Sequence, residues 1–159
     1  MKKKVFPYKI LKGKAGKKIC WLLCLVCFSF ASKAQTSLMA IGNVSDVPAE
    51  MQLSELKSIL MGEKQRWKNG DRILVALMKT NTPTGKATSE KIYDMTGDEL
   101  NKFWLALVFQ GKAQAPKFFA SANELEDFVA QNPGAIGIVD KPVSGSELKF
   151  ININGQKTF

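Results

Sequence analysis

Residues 69–87, NGDRILVALMKTNTPTGKA, hold a turn, a strand, a polar loop and the opening of a helix, in that order. Asn69-Gly70 is a turn dipeptide. Ile73 to Met78 (ILVALM) is an almost unbroken apolar run, which predicts a strand covered on both faces. Lys79 to Thr84 (KTNTPT) is polar and interrupted by Pro83, so it reads as a loop, and a helix is expected from about Thr84 to Asp94. A buried strand that hands over to a helix through a short loop is the repeating unit of an α/β sandwich.

The alternation continues on both sides. Leu38 to Gly42 (LMAIG) reads as a first buried strand, and Asn43 to Pro48 as the loop leaving it. Ser54 is the expected N-cap of a helix through Met61, with Leu56, Ile59 and Leu60 on one face and Gly62 as the stop. Thr96-Gly97-Asp98-Glu99 and Ser121-Ala122-Asn123-Glu124 are capping boxes. The first opens a helix with Leu100, Phe103, Trp104, Leu107 and Val108 at helical spacing, the second one with Leu125, Phe128 and Val129. Phe118 to Ala120 forms a short strand between them. Asn132-Pro133-Gly134 ends the last helix, Ala135 to Val139 (AIGIV) is another buried strand, and Ser144-Gly145-Ser146 turns into a final one, Leu148 to Ile153. The class is α/β around a central sheet; strand order is not written in such a pattern.

The first 34 residues read differently. A lysine-rich start without acidic residues leads into an apolar run of 13, Ile19 to Ala31, and then Ser32-Lys33-Ala34. Basic, apolar and small-residue segments in that order predict a secretory signal peptide cleaved after Ala34, and a periplasmic or secreted domain over residues 35–159. A run of 13 is short for a membrane core that needs about 20 residues. Nine of the 23 basic residues lie in the leader and none of the 14 acidic ones does, so the remainder carries 14 of each. A near-neutral domain offers no large basic patch, and no nucleic-acid partner is expected.

All three cysteines, Cys20, Cys24 and Cys27, also fall in the leader, and the chain has no histidine. Thiolate nucleophiles, Cys-ligated metals, Ser-His-Asp chemistry and the commonest metal ligand are thereby missing. No enzyme, no cofactor and no metal site are expected. Glu124, Glu126 and Asp127 read as an acidic first turn favoured by the helix dipole. Gly85-Lys86-Ala87-Thr88 is not a P-loop, because Ala87 and Thr80 stand where a hydroxyl residue and a glycine are required. Trp67 is expected to pack against the sheet; Phe103, Trp104 and Phe109 form either core or an exposed docking face.

Three stretches together resemble the second lobe of phosphate-specific periplasmic binding proteins of ABC transporters. They are Leu53 to Lys64 followed by Trp67 and Asn69-Gly70, the loop and helix after Ile73 to Met78, and Asn132-Pro133-Gly134-Ala135-Ile136-Gly137-Ile138-Val139. Short, single-lobe versions of that family are closer still, and share the elements around Phe103-Trp104 and Phe109-Gln110-Gly111-Lys112. The resemblance implies a single lobe of a type II periplasmic-binding-protein fold, with a central mixed sheet flanked by helices. It also implies a non-enzymatic solute-binding module for phosphate or another small oxyanion. In the family, a loop reading roughly Arg-Ser-Asp-Gly-Ser-Gly-Thr wraps the anion at a helix N-terminus, where free amides and the dipole favour negative charge. Here Thr84-Gly85 matches its Ser-Gly pair, while Thr80, Thr82 and Lys86 replace its arginine, aspartate and final threonine. The implied ligand-binding residues are Thr82, Thr84, Gly85, Lys86 and Ala87.

Such receptors close two lobes over the ligand, so a second copy or an envelope protein partner is expected to complete the cleft. The lost arginine and aspartate open an alternative, a cell-envelope structural or interaction module with a decayed ligand loop. In that case Leu148 to Ile153 is expected to be an exposed edge strand suited to docking.

Overall fold

A computed structural model describes residues 36–159; the expected leader and its cleavage point lie outside the described residues. Strand β1 (Met39–Asn43) runs antiparallel to both of its neighbours, β5 (Ala135–Val139) and β6 (Leu148–Ile153). Beyond β5 come β3 (Leu74–Met78) and β4 (Lys117–Phe119), all three parallel. A two-residue β2 (Glu50–Met51) lies parallel to the end of β6, which gives the mixed order β2-β6-β1-β5-β3-β4.

Helix α1 (Leu53–Leu60) precedes β3, and α2 (Pro83–Thr88) follows it, running on as a π-helical segment, Ser89–Tyr93. Helices α3 (Gly97–Phe109) and α4 (Ala122–Gln131) flank β4 in sequence. Alternate residues of each strand serve opposite faces. Leu38 and Ala40, with Ile136 and Ile138, pack toward Leu56, Ile59 and Leu60 of α1 and Leu100 and Trp104 of α3. Met39, Ile41, Ala135 and Val139 pack toward Leu125 and Val129 of α4. The result is three layers, and Thr36–Phe159 forms one compact unit.

Both capping boxes form as expected: the Thr96 hydroxyl accepts from the Glu99 amide, and the Ser121 hydroxyl from the Glu124 amide. Ser54, by contrast, is not an N-cap. The N-cap is Gln52, two residues earlier, and the Leu53 amide donates to Asn154 Oδ1 at 3.0 Å. A cap supplied from the far end of the chain replaces the local one. The helix expected over Thr84 to Asp94 changes pitch after Thr88. There the hydroxyls of Thr88 and Ser89 donate back to the carbonyls of Thr84 and Gly85, at 2.8 and 2.9 Å. Competition of this kind for backbone carbonyls disturbs a regular helix, and the segment ends on Asp94 in the left-handed region (φ 54°).

One expectation about the sheet is overturned. Strand β6 is not an edge: β1 covers one side and β2 part of the other. Two residues carry no readable period, so β2 was hidden in the loop after Pro48. The edges are β2 and β4. Trp67 does pack against the sheet, buried, with Nε1 donating to Gly134 O at 2.9 Å.

Candidate functional site

The carboxyl end of β3 gathers three helix starts. Lys79 N–H donates to Phe119 O, which ties the end of β3 to the end of β4 and so to the start of α4. Gly97, the first residue of α3, lies so close to Thr80 that a Cβ there would come within 2.8 Å of the threonine Cβ. Asn101 Nδ2 reaches Thr80 Oγ1 at 3.4 Å. The loop Lys79–Thr82 is thus held from two sides, and α2 begins in the middle of this cluster.

Thr82 organises the loop. Its hydroxyl donates to Lys79 O at 2.8 Å and accepts from Gly85 N–H at 3.1 Å, so it is the N-cap of α2. Lys86 N–H donates to Thr82 O at 2.9 Å. Pro83 has no amide to give. The amides of Gly85 and Lys86 are therefore spent within the loop, and Thr84 is the first-turn residue whose amide the cap leaves over.

The five expected site residues divide by exposure. Lys86 is exposed and Thr82 half-buried, whereas Thr84 and Gly85 are buried. Ala87 is half-buried and packs against the core. Gly85 is not the accessible loop glycine that the sequence suggests. A Cβ at that position would stand 2.1 Å from Lys79 O, so the glycine is required by the close approach of the β3 end to the helix. The Lys86 ammonium lies 3.9 Å from Glu90 one turn along, with both groups largely in solvent, a pair worth little to stability.

Electrostatics separate α2 from the other helices. Helix α1 has Glu55 in its first turn, α3 has Asp98 and Glu99, and α4 has Glu124. Glu99 Oε2 accepts from Thr96 N–H at 2.8 Å, and Glu124 Oε2 accepts from the amides of Ala120 and Ser121. Backbone and hydroxyl donors of Thr96 hold the Glu99 carboxyl below the usual carboxylate range. At those two starts a carboxylate already occupies the place of an anion. The first turn of α2 has no acidic residue, so its amide end stays uncompensated. Sequence reading found this helix start but not its setting. Thr80, Gly97 and Asn101 come to the loop from separate parts of the chain, and no local signal announces them.

These elements define a class, one lobe of a periplasmic-binding-protein fold. An ABC-type phosphate transport receptor from Vibrio cholerae superposes with a TM-score of 0.60 at 14% identity, over 77% of this chain and 48% of its own. The PstS protein of Borrelia burgdorferi superposes with a TM-score of 0.57 at 16% identity, over 76% of this chain and 48% of its own. The expected resemblance to phosphate receptors therefore holds at the level of the fold. The chain spans less than half the length of the solved receptors it matches. No protein-family model and no curated protein matches the sequence.

Proposed function

We propose that this domain is an exported, non-enzymatic binding module that captures phosphate or a related small oxyanion at the start of α2. The observation that carries the reading is the uncompensated α2 start at the carboxyl end of β3, beside two helix starts that already hold carboxylates. Thr84 N–H and the exposed Lys86 and Lys79 ammoniums are the donors there, the Thr82 hydroxyl proton being held by Lys79 O. The receptor-like fold supports the same reading. One lobe leaves its ligand half solvated, so a second copy or an envelope partner is required for tight binding.

Calorimetric and amide-shift titration with phosphate and sulfate tests it. Millimolar binding is expected, with shifts at Thr82 to Ala87. Lys86→Glu places a like charge beside the anion and should weaken binding by about 1–3 kcal/mol, the range of a charged hydrogen bond. Lys79→Ala should matter less. Silence from both anions defeats the proposal.

A second reading, a cell-envelope interaction module, is favoured by one observation. Leu105, Val108 and Phe109 form an apolar strip on the outer face of α3, and Phe109 is 82% exposed. If the anions produce no heat, this reading takes precedence.

A further inference from the structure

The chain contains 23 basic residues, and only two of them, Arg66 and Arg72, are arginines. The fold sets those two opposite each other, as the antiparallel bridge pair flanking the Asn69-Gly70 turn. Residues directly opposite on a two-stranded ribbon project to the same side, and like charges so placed repel. Nearby carboxylates do not relieve them. Glu55 pairs with Lys64, Glu63 accepts from Ser58 Oγ, and Asp71 accepts from Asn69 Nδ2. Arg66 holds Gly70 O, and among the described residues neither arginine has a carboxylate within 4.0 Å.

Both arginines line one cavity of about 270 Å³. It lies at the amino end of β3, the opposite end from Lys79 and the α2 start. Its lining is mixed: Ile59, Ile73, Val75 and the buried ring of Trp104 give an apolar part, and Lys64, Gln65 and Gln114 join the arginines as the polar part. Among the described residues no acidic one lines it. Its walls are fastened together. Gln65 Nε2 donates to Gly62 O and, at 2.7 Å, to Lys112 O, which joins the hairpin to the loop after α3.

We propose that Arg66 and Arg72 form an anion fork over this cavity, and that it takes a small phosphomonoester with a compact apolar body. Two planar guanidiniums suit a doubly charged tetrahedral head, which can accept paired hydrogen bonds from each. The apolar part of the lining suits the remainder of such a ligand. Lys64, which also lines the cavity, is paired with Glu55 and brings charge without the fork. The site is separate from the α2 loop and does not depend on it.

Arginine Nε–Hε signals in NMR spectra of the full chain report it directly, since there are only two. Titration with phenyl phosphate at millimolar levels is expected to shift both signals together and to saturate. Inorganic phosphate lacks the apolar body and benzoate lacks the second charge, so each is expected to bind roughly tenfold more weakly. Arg72→Gln should weaken phenyl phosphate binding by roughly tenfold or more. The same change should leave the melting temperature unchanged or higher, because a repulsive pair is removed. Arg72→Lys should restore the charge but not the affinity. The proposal is overturned by unmoved arginine signals, by shifts that track ionic strength for any salt without saturating, or by unchanged binding in Arg72→Gln. Phenyl phosphate shifts confined to Thr82 to Ala87 would place binding at the α2 loop instead, and would overturn it equally.

Discussion

Gly85 and Lys86 are chain neighbours under opposite constraints. The backbone of β3 returns so close to Gly85 that even one methyl group would meet Lys79 O at 2.1 Å. Gly85→Ala is therefore expected to cost about 1–3 kcal/mol through forced backbone shifts, read as a lower denaturation midpoint. A bulkier residue there would report on folding before it reported on any ligand. Lys86 projects into solvent, and its replacement by glutamate should move stability by no more than about 0.5 kcal/mol. That contrast makes Lys86 the sound probe of the loop. Gly134 is constrained in a similar way, with φ 75° and a prospective Cβ 2.6 Å from Arg72 O. Its carbonyl accepts from both Trp67 Nε1 and the Leu74 amide, which seats the hairpin at the start of β3.

The helices show how charge and burial act along one element. In α4, Glu124 closes the capping box, while Glu126, two residues on, is partly buried. Burial pushes the Glu126 carboxyl up from its ordinary value, and the neighbouring Asp127 carboxylate adds to it. A carboxyl raised in the folded state binds its proton more tightly there than in the unfolded chain. Its contribution is thus most favourable below the unfolded value and becomes a penalty as pH rises through the folded one. Glu126→Gln, which mimics the protonated form, should raise the melting temperature at neutral pH and leave it nearly unchanged at pH values below the carboxylate range. A variant less stable than the parent at neutral pH would contradict this. Tyr93 closes the π-helical segment onto α1, donating to Leu60 O at 2.6 Å. Burial holds its phenol well above its ordinary value, with the Trp104 indole nearby as a smaller opposing influence. Among the described residues that indole N–H finds no well-aligned acceptor of its own.

Across the whole domain, a few polar side chains fasten layers that apolar packing alone would leave free to slide. Buried Asn43, at the end of β1, donates to Val129 O and Ala130 O at the end of α4 and accepts from Ser45 N–H. Asn43→Ala would strand those carbonyls and is expected to cost about 2–3 kcal/mol, measurable by chemical denaturation. Local chemistry wrote much of this architecture. The two capping boxes, the Asn69-Gly70 turn and the apolar runs of β1, β3, β5 and β6 follow from neighbouring residues, because caps, turns and burial periods act over a few positions. The α2 start was legible for the same reason, Thr82 and Pro83 being a local cap. Long-range arrangements were not. Helix α1 takes its cap from Asn154, 101 positions away, and β2 exists only because β6 runs beside it. Gly85 is buried because another strand's end lies against it. Residue order specified most of the elements, the ends that carry local caps and turns, and the absence of histidine. Folding in three dimensions specified strand order, the missing edge at β6 and the pairing of two arginines over a cavity, since each depends on contacts between segments whose separation carries no periodic signal.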